Sequence, residues 1–397
     1  MKPNFLLQLY LLTALTLGAA TEPARNSSGL AMQEARAEGL KLKGKKAFYP
    51  ANQWDLSELP AYQARGKITG TIRLWGSNYI TDSNLAGYWE TAFRKFHPGV
   101  TFEYNMLTTR AAVPSLVFGV ADLGIGRKIK TEELQLYQRY KNQDPIEIVV
   151  ATGSYNVTGW NPAFGIVVSK DNPLTQISLD QLDGIFGAER LGGWIGTDWH
   201  PEFARGPEKN LRTWGQLGLT GEWANHPITP YGLNLRYSQA SWMSDRILGG
   251  SDKWNERLRM YANYASNEDG GKGSAMGFGR LKRGLNEDLA KDRYGIAYVG
   301  SPVGPNLPAG LKLLAVAATS TGPYYAYTME NIRSRKYPLH DEIYAYADGQ
   351  NAVAMDTKVR EYLRFIVSRE GQEAVAHDGK YLPLTAEASR EQLQKLD

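Results

Sequence analysis

Between residues 71 and 104, TIRLWGSNYITDSNLAGYWETAFRKFHPGVTFEY, the pattern of apolar and polar positions changes period twice. Ile72 and Leu74 lie in a short apolar run that reads as a strand. It stops at Gly76-Ser77-Asn78-Tyr79, a loop of mostly small, donor-rich residues. Leu85, Tyr88, Trp89, Ala92, Phe93 and Phe96 then recur at three and four residues, the spacing of one helix face. His97-Pro98-Gly99 ends that helix, because proline cannot continue it and glycine suits the turn beyond. Residues 100–104 alternate faces as a second strand. The loop thus sits at the carboxyl end of a strand and the start of a helix, where unpaired N–H groups point outward. That is a natural place for an anion.

The pattern recurs downstream. Thr108-Thr109-Arg110 forms a second polar loop, followed by a short helix over 111–117 and a strand ending in Gly124-Ile125-Gly126. IEIVVA and FGIVVS, within 145–169, are two strands separated by a turn-rich insert. ISLDQLDGIFG at 177–187 predicts a short helix before a loop carrying Trp194 and Trp199, and 192–210 is poor in regular structure. At 228–248 a strand runs into Arg236-Tyr237-Ser238-Gln239, and a helix starts directly after. GGKGSAMGFG, within the Gly/Lys-rich stretch 270–285, matches neither nucleotide-loop pattern and reads as a flexible loop. YGIAYVG and LKLLAVA are strands, and 358–375 carries a helix that ends in SREGQ, before a final YLPL.

Composition changes this picture little. A chain of 397 residues has room for two domains, and 42% hydrophobic with 22% charged residues is ordinary for a globular protein. A net charge of +4 is too mild to imply nucleic acid but is compatible with an anionic ligand. Having no cysteine excludes thiol catalysis, cysteine-ligated zinc, disulfides and a lipid-anchor cysteine.

Residues 1–20 read as a secretory leader. Lys2 supplies the positive start, 5–17 an apolar core too short to span a bilayer, and Gly18-Ala19-Ala20 the cleavage site. A polar arm follows at 21–66, with a helix expected around 32–40.

Catalysis fits poorly. The five histidines (His97, His200, His226, His340, His377) show no metal-ligand spacing, and neither G-x-S-x-G nor H-E-x-x-H occurs. No enzyme activity, cofactor or metal is expected. His97 and His340, in helix-end and turn phrases, read as surface or capping residues.

Taken in order, the stretches across 66–384 resemble the periplasmic solute-binding proteins of ABC importers, in their phosphate-binding branch. The most specific piece is the ending, YPLHDEIYAYA, then a helix with Leu363, Phe365, Ile366 and Val367 leading into SREGQ, then YLPL. The resemblance implies an α/β, two-lobed type II fold, each lobe a mixed sheet flanked by helices. Lobe I would comprise 67–155 and 300–397, with LKLLAVA returning to it, and lobe II 156–299, with a hinge of two crossings.

It also implies a monomer outside the cytoplasm that holds a small oxyanion, phosphate first, for a membrane ABC permease. The ligand residues so implied are Ser77, Asn78, Tyr79, Thr108, Thr109, Arg110, Arg127, Arg236, Ser238 and Gln239. Ser77 and Ser238 equally suit helix N-caps, and Arg127 equally suits a structural carboxylate. Three departures stand out. Arg127 replaces the usual acid, and Gln239 and Ala240 replace the glycine and threonine of the family's S-G-T. These leave open another anion, a sensor or surface protein on this fold, and, more remotely, a secreted hydrolase.

Overall fold

The computed structural model describes residues 48–157, 160–262, 264, 284–303 and 307–397. The leader, the helix expected near 32–40 and most of the Gly/Lys-rich loop lie outside these residues.

The first lobe opens with β1 (Gly70–Gly76), α1 (Tyr79–Asp82), α2 (Leu85–Phe93) and β2 (Val100–Asn105). A 3-10 turn (Thr109–Ala111) runs into α3 (Ala112–Val117), followed by β3 (Leu123–Gly126), α4 (Thr131–Lys141) and β4 (Ile146–Thr152). After the first crossing come β5 (Phe164–Ser169), β6 (Gln176–Ser178), α5 (Leu179–Phe186) and a hairpin of β7 (Gly193–Ile195) with β8 (Asp198–His200). The second lobe continues through β9 (Thr229–Leu233), α6 (Ser238–Ile247), β10 (Arg259–Tyr261), α7 (Leu285–Leu289), β11 (Gly295–Gly300), β12 (Leu311–Leu313) and β13 (Ala315–Ala317). The chain then passes α8 (Met329–Arg333) and ends in β14 (Glu342–Ala347), α9 (Thr357–Val367), α10 (Arg369–Asp378) and α11 (Ala386–Gln394).

Two five-stranded sheets share one plan. The first has the order β2-β1-β3-β14-β4 and the second β10-β9-β11-β5-β12. In each, three parallel strands are joined by an antiparallel one delivered across the hinge: β14 pairs antiparallel with β3 and β4, and β5 with β11 and β12. Both delivered strands are apolar almost throughout and buried, as strands covered on both faces must be. The order reverses at β1 and β9, so the loops after these strands open at a topological switch point where ligands bind. Leu311–Leu313 joins the second sheet rather than returning to the first lobe, because Leu311 and Leu313 sit opposite Ser169 and Val167 of β5. A short apolar run does not itself say which sheet it will join.

The arm is partly structure. Over the described residues from 48 onward it lies on the C-terminal helices. Leu56 and Leu59 pack with Ala376, and the N–H groups of Phe48 and Tyr49 donate to Gly379 O at 2.8 and 2.9 Å. The Tyr62 hydroxyl donates to Glu361 Oε2 at 2.8 Å and lies 2.7 Å from His97 Nε2. His97 is therefore fully buried, not a surface residue, because the arm covers the helix end that carries it.

The helix expected to end in SREGQ stops at Val367, and a second helix follows at Ser368. Extended there (ψ 175°), that residue starts α10 afresh. Gly371 permits the close stacking, since a Cβ on it would meet Phe365 O and Ile366 O at 2.3 Å.

Candidate functional site

Backbone contacts closer than side chains would allow bring the first-lobe loops together. Gly76 has φ +135°, and a Cβ there would lie 2.0 Å from Ile125 O, so only glycine fits where β1 meets β3. The next residue, Ser77, donates its N–H to that same Ile125 O at 2.7 Å. On the other side of β3, a Cβ on Gly126 would stand 3.5 Å from Thr109 Cβ. Ser77, Thr109 and the end of β3 therefore form one neighbourhood. The Ser77 side chain is 2% exposed, and its Oγ has no hydrogen-bond partner among the described residues.

The other expected ligand residues divide into committed and open groups. The Asn78 side chain donates to Asp82. Thr108 Oγ1 accepts the Arg110 N–H at 3.4 Å and caps the 3-10 turn. Tyr79 packs its ring against Trp160, with centroids 4.8 Å apart. Arg127 forms a two-pronged pair with Glu133, 2.7 and 3.0 Å, and also donates to Lys128 O at 2.8 Å. Its charge is thus met by a carboxylate in the first turn of α4, the structural alternative weighed from the sequence. Arg110 and Arg236 are exposed.

In the second lobe Ser238 opens α6. Its hydroxyl donates to Gln239 Oε1 at 3.3 Å, and Tyr237 supplies no side-chain cap. In the first turn of α6 the N–H groups of Ala240 and Ser241 donate to Tyr237 O at 3.1 and 3.2 Å, so those of Ser238 and Gln239 are the ones that point out of the helix start.

The same face of α6 meets the first lobe one turn further on. Lys130 Nζ donates to Ser241 Oγ at 3.0 Å. Trp242 Nε1 donates to Asp341 Oδ1 at 3.0 Å, and its ring lies 4.7 Å from that of Phe164. Asp341 belongs to the return crossing; burial first of all pushes its carboxyl up to about 7, against the lowering influence of Arg246 and the Trp242 hydrogen bond. Asp245 keeps solvent contact but is pushed up to about 6, chiefly by desolvation, while Lys130, Arg246 and Lys128 pull it down. A third link spans the lobes farther out, from Gln138 Nε2 of α4 to Thr197 Oγ1 in the β7–β8 turn at 3.0 Å.

Lys130, Ser241, Trp242 and Asp341 were missed by sequence reasoning. A signal existed for two of them. Ser241 and Trp242 stand three and four residues after Ser238, on the helix face it begins.

Among the known proteins similar to the chain are phosphate-binding proteins. The chain is 27% identical over 339 residues to the phosphate-binding protein PstS of Pseudomonas aeruginosa, in each of two strains, covering 85% of this chain and 90% of that protein. Among solved structures it is similar to PstS from Borrelia burgdorferi, at 18% identity and TM-score 0.46, covering 79% of this chain and 99% of that one. It is also similar to an ABC-type phosphate transport receptor from Vibrio cholerae, at 14% identity and TM-score 0.46, with the same shares of each chain covered. The family model described as a PBP superfamily domain matches residues 64–370. With most of its length under that model, the chain belongs to the PBP superfamily.

Proposed function

We propose that this protein captures phosphate between its two lobes, outside the cytoplasm, and hands it to a membrane ABC importer without catalysing a reaction. The observation that carries this reading is the Ser77 hydroxyl, buried on the loop after β1 and without a partner among the described residues. Leaving such a group unsatisfied costs about 1–3 kcal/mol, which an anion oxygen accepting its proton would offset. Similarity over most of its length to a phosphate-binding protein supports the ligand. The leader-like residues 1–20 support the location, and no helix among the described residues is long and apolar enough to cross a membrane.

In this reading Ser77, Thr109 and Ser238 donate hydroxyls from three loops, and the N–H groups of Ser238 and Gln239 at the start of α6 add further donors. Tyr79, Arg110, Arg236 and Gln239 form the surrounding wall. Asn78 and Thr108 act one step back, holding the loops through Asp82 and through the turn at Arg110. Arg127 is neutralised by Glu133, so position 127 brings no net positive charge to the ligand.

The test is calorimetric titration of ligand-stripped, refolded protein with phosphate, with sulfate as the paired control. Tight phosphate binding without sulfate heat is expected. Silence toward both anions would overturn the reading.

A further inference from the structure

The cations around the cleft are not equally free. Arg127 is paired with Glu133, and Lys128 with Glu147 while also lying 5.3 Å above the Tyr344 ring. Arg110 and Arg236 are exposed, where water screens them. Lys130 differs from all four. It is only partly exposed, and among the described residues no carboxylate lies within the 4.0 Å of an ion pair. Its hydrogen bond goes to Ser241, a neutral hydroxyl of the opposite lobe, one turn along α6 from Ser238.

Three carboxylates stand nearby. Glu133 is taken up by Arg127 and by the Lys130 backbone N–H, Glu132 lies in the first turn of α4, and Asp245 faces from α6. Desolvation first, then Arg127, holds the Lys130 amine below the usual lysine range. A half-buried amine in this position is costly unless a negative charge joins it.

We propose that Lys130 supplies the positive charge that balances the bound anion, and that its bond to Ser241 brings this charge to the ligand only when the lobes are closed. The assignment rests on the reading of the cleft as an anion site. It moves the charge from Arg127, the position the sequence suggested, to a residue three places along the same loop. Closing the cleft then both completes the donor set and delivers the counter-charge.

The test compares wild type with K130M, K130R and S241A, titrating each with phosphate at low and high sodium chloride. Melting temperatures without ligand check that the variants fold. Wild-type affinity is expected to fall as salt rises. K130M should bind about tenfold or more weakly and lose much of that salt dependence. K130R, which keeps the charge, should fall between the two. S241A keeps the amine but loses its anchor, and should lose less affinity than K130M while retaining the salt dependence.

K130M binding within about twofold of wild type, with unchanged salt dependence, would overturn the assignment while leaving phosphate binding intact. S241A matching K130M in both respects would also overturn it, since the amine would then merely tie the lobes. A wild type silent toward phosphate would overturn the function itself, and the role of Lys130 with it.

Discussion

Ser77 and Arg127 show how far single residues could be read. Ser77 was legible in its place, which follows from the local order of strand, polar loop and helix, and the structure adds that its hydroxyl is buried and has no partner among the described residues. Arg127 was placed at the right strand end, but its partner was not visible. Glu133 lies six residues on, and only the turn between β3 and α4 aims one at the other. Lys130 was passed over because a lysine before a helix reads as solvated; what distinguishes it is Ser241, over a hundred residues away. The state of Ser77 makes a sharp prediction. Ser77→Ala removes no side-chain bond among the described residues, so its urea midpoint without ligand should match or exceed that of wild type. Its phosphate binding, by calorimetry, should weaken by about 1–3 kcal/mol. A lowered midpoint with unchanged affinity would make Ser77 a structural serine instead.

Among the elements, those with a strong period were the most legible. α2, β4, β5, β9 and the start of α6 fall where apolar spacing and loop residues set them. The second helix that begins within SREGQ was not legible, because the turn of the chain at Ser368 depends on packing around Gly371. The arm was the least legible, since a polar segment does not announce what it covers. Its hold on the body centres on Tyr62, whose hydroxyl joins Glu361 of α9 to His97 at the end of α2. Glu361 and His97 are both buried, so Tyr62→Phe would leave each short of a partner. We expect a loss of about 1–3 kcal/mol in urea unfolding, with phosphate affinity unaltered because the cleft lies elsewhere. Unchanged stability would mean that water replaces the hydroxyl, and that the arm is a passive cover.

At the scale of the molecule, the two-lobed plan was legible through resemblance, but the strands that exchange between lobes were not. Periodicity marks a strand without naming its neighbours, which is why Leu311–Leu313 joined the other sheet. The return crossing also carries Asp341, bonded to Trp242 of the second lobe. Its carboxyl is raised from 3.8 to about 7, so the folded protein holds that proton more tightly than the unfolded chain. Ionising it costs stability, and the cost grows as pH rises from the unfolded value through about 7. Asp341→Asn keeps an acceptor for the indole and removes the charge. Its melting temperature relative to wild type should therefore climb between acid and mildly alkaline buffer; a difference independent of pH would refute the buried-charge account.

The strand exchange also bears on how the chain is made. β14 is inserted between β3 and β4, so Tyr344 pairs with Gly126 and with Val149, residues synthesised long before it. Until that strand emerges, β3 keeps an open edge beside its ladder with β1, and β4 has no ladder in the sheet to join. Loop closure over such a span is slow. The fold thus delays its own completion until residues 342–347 exist, which would suit the passage through a membrane that the proposed function requires.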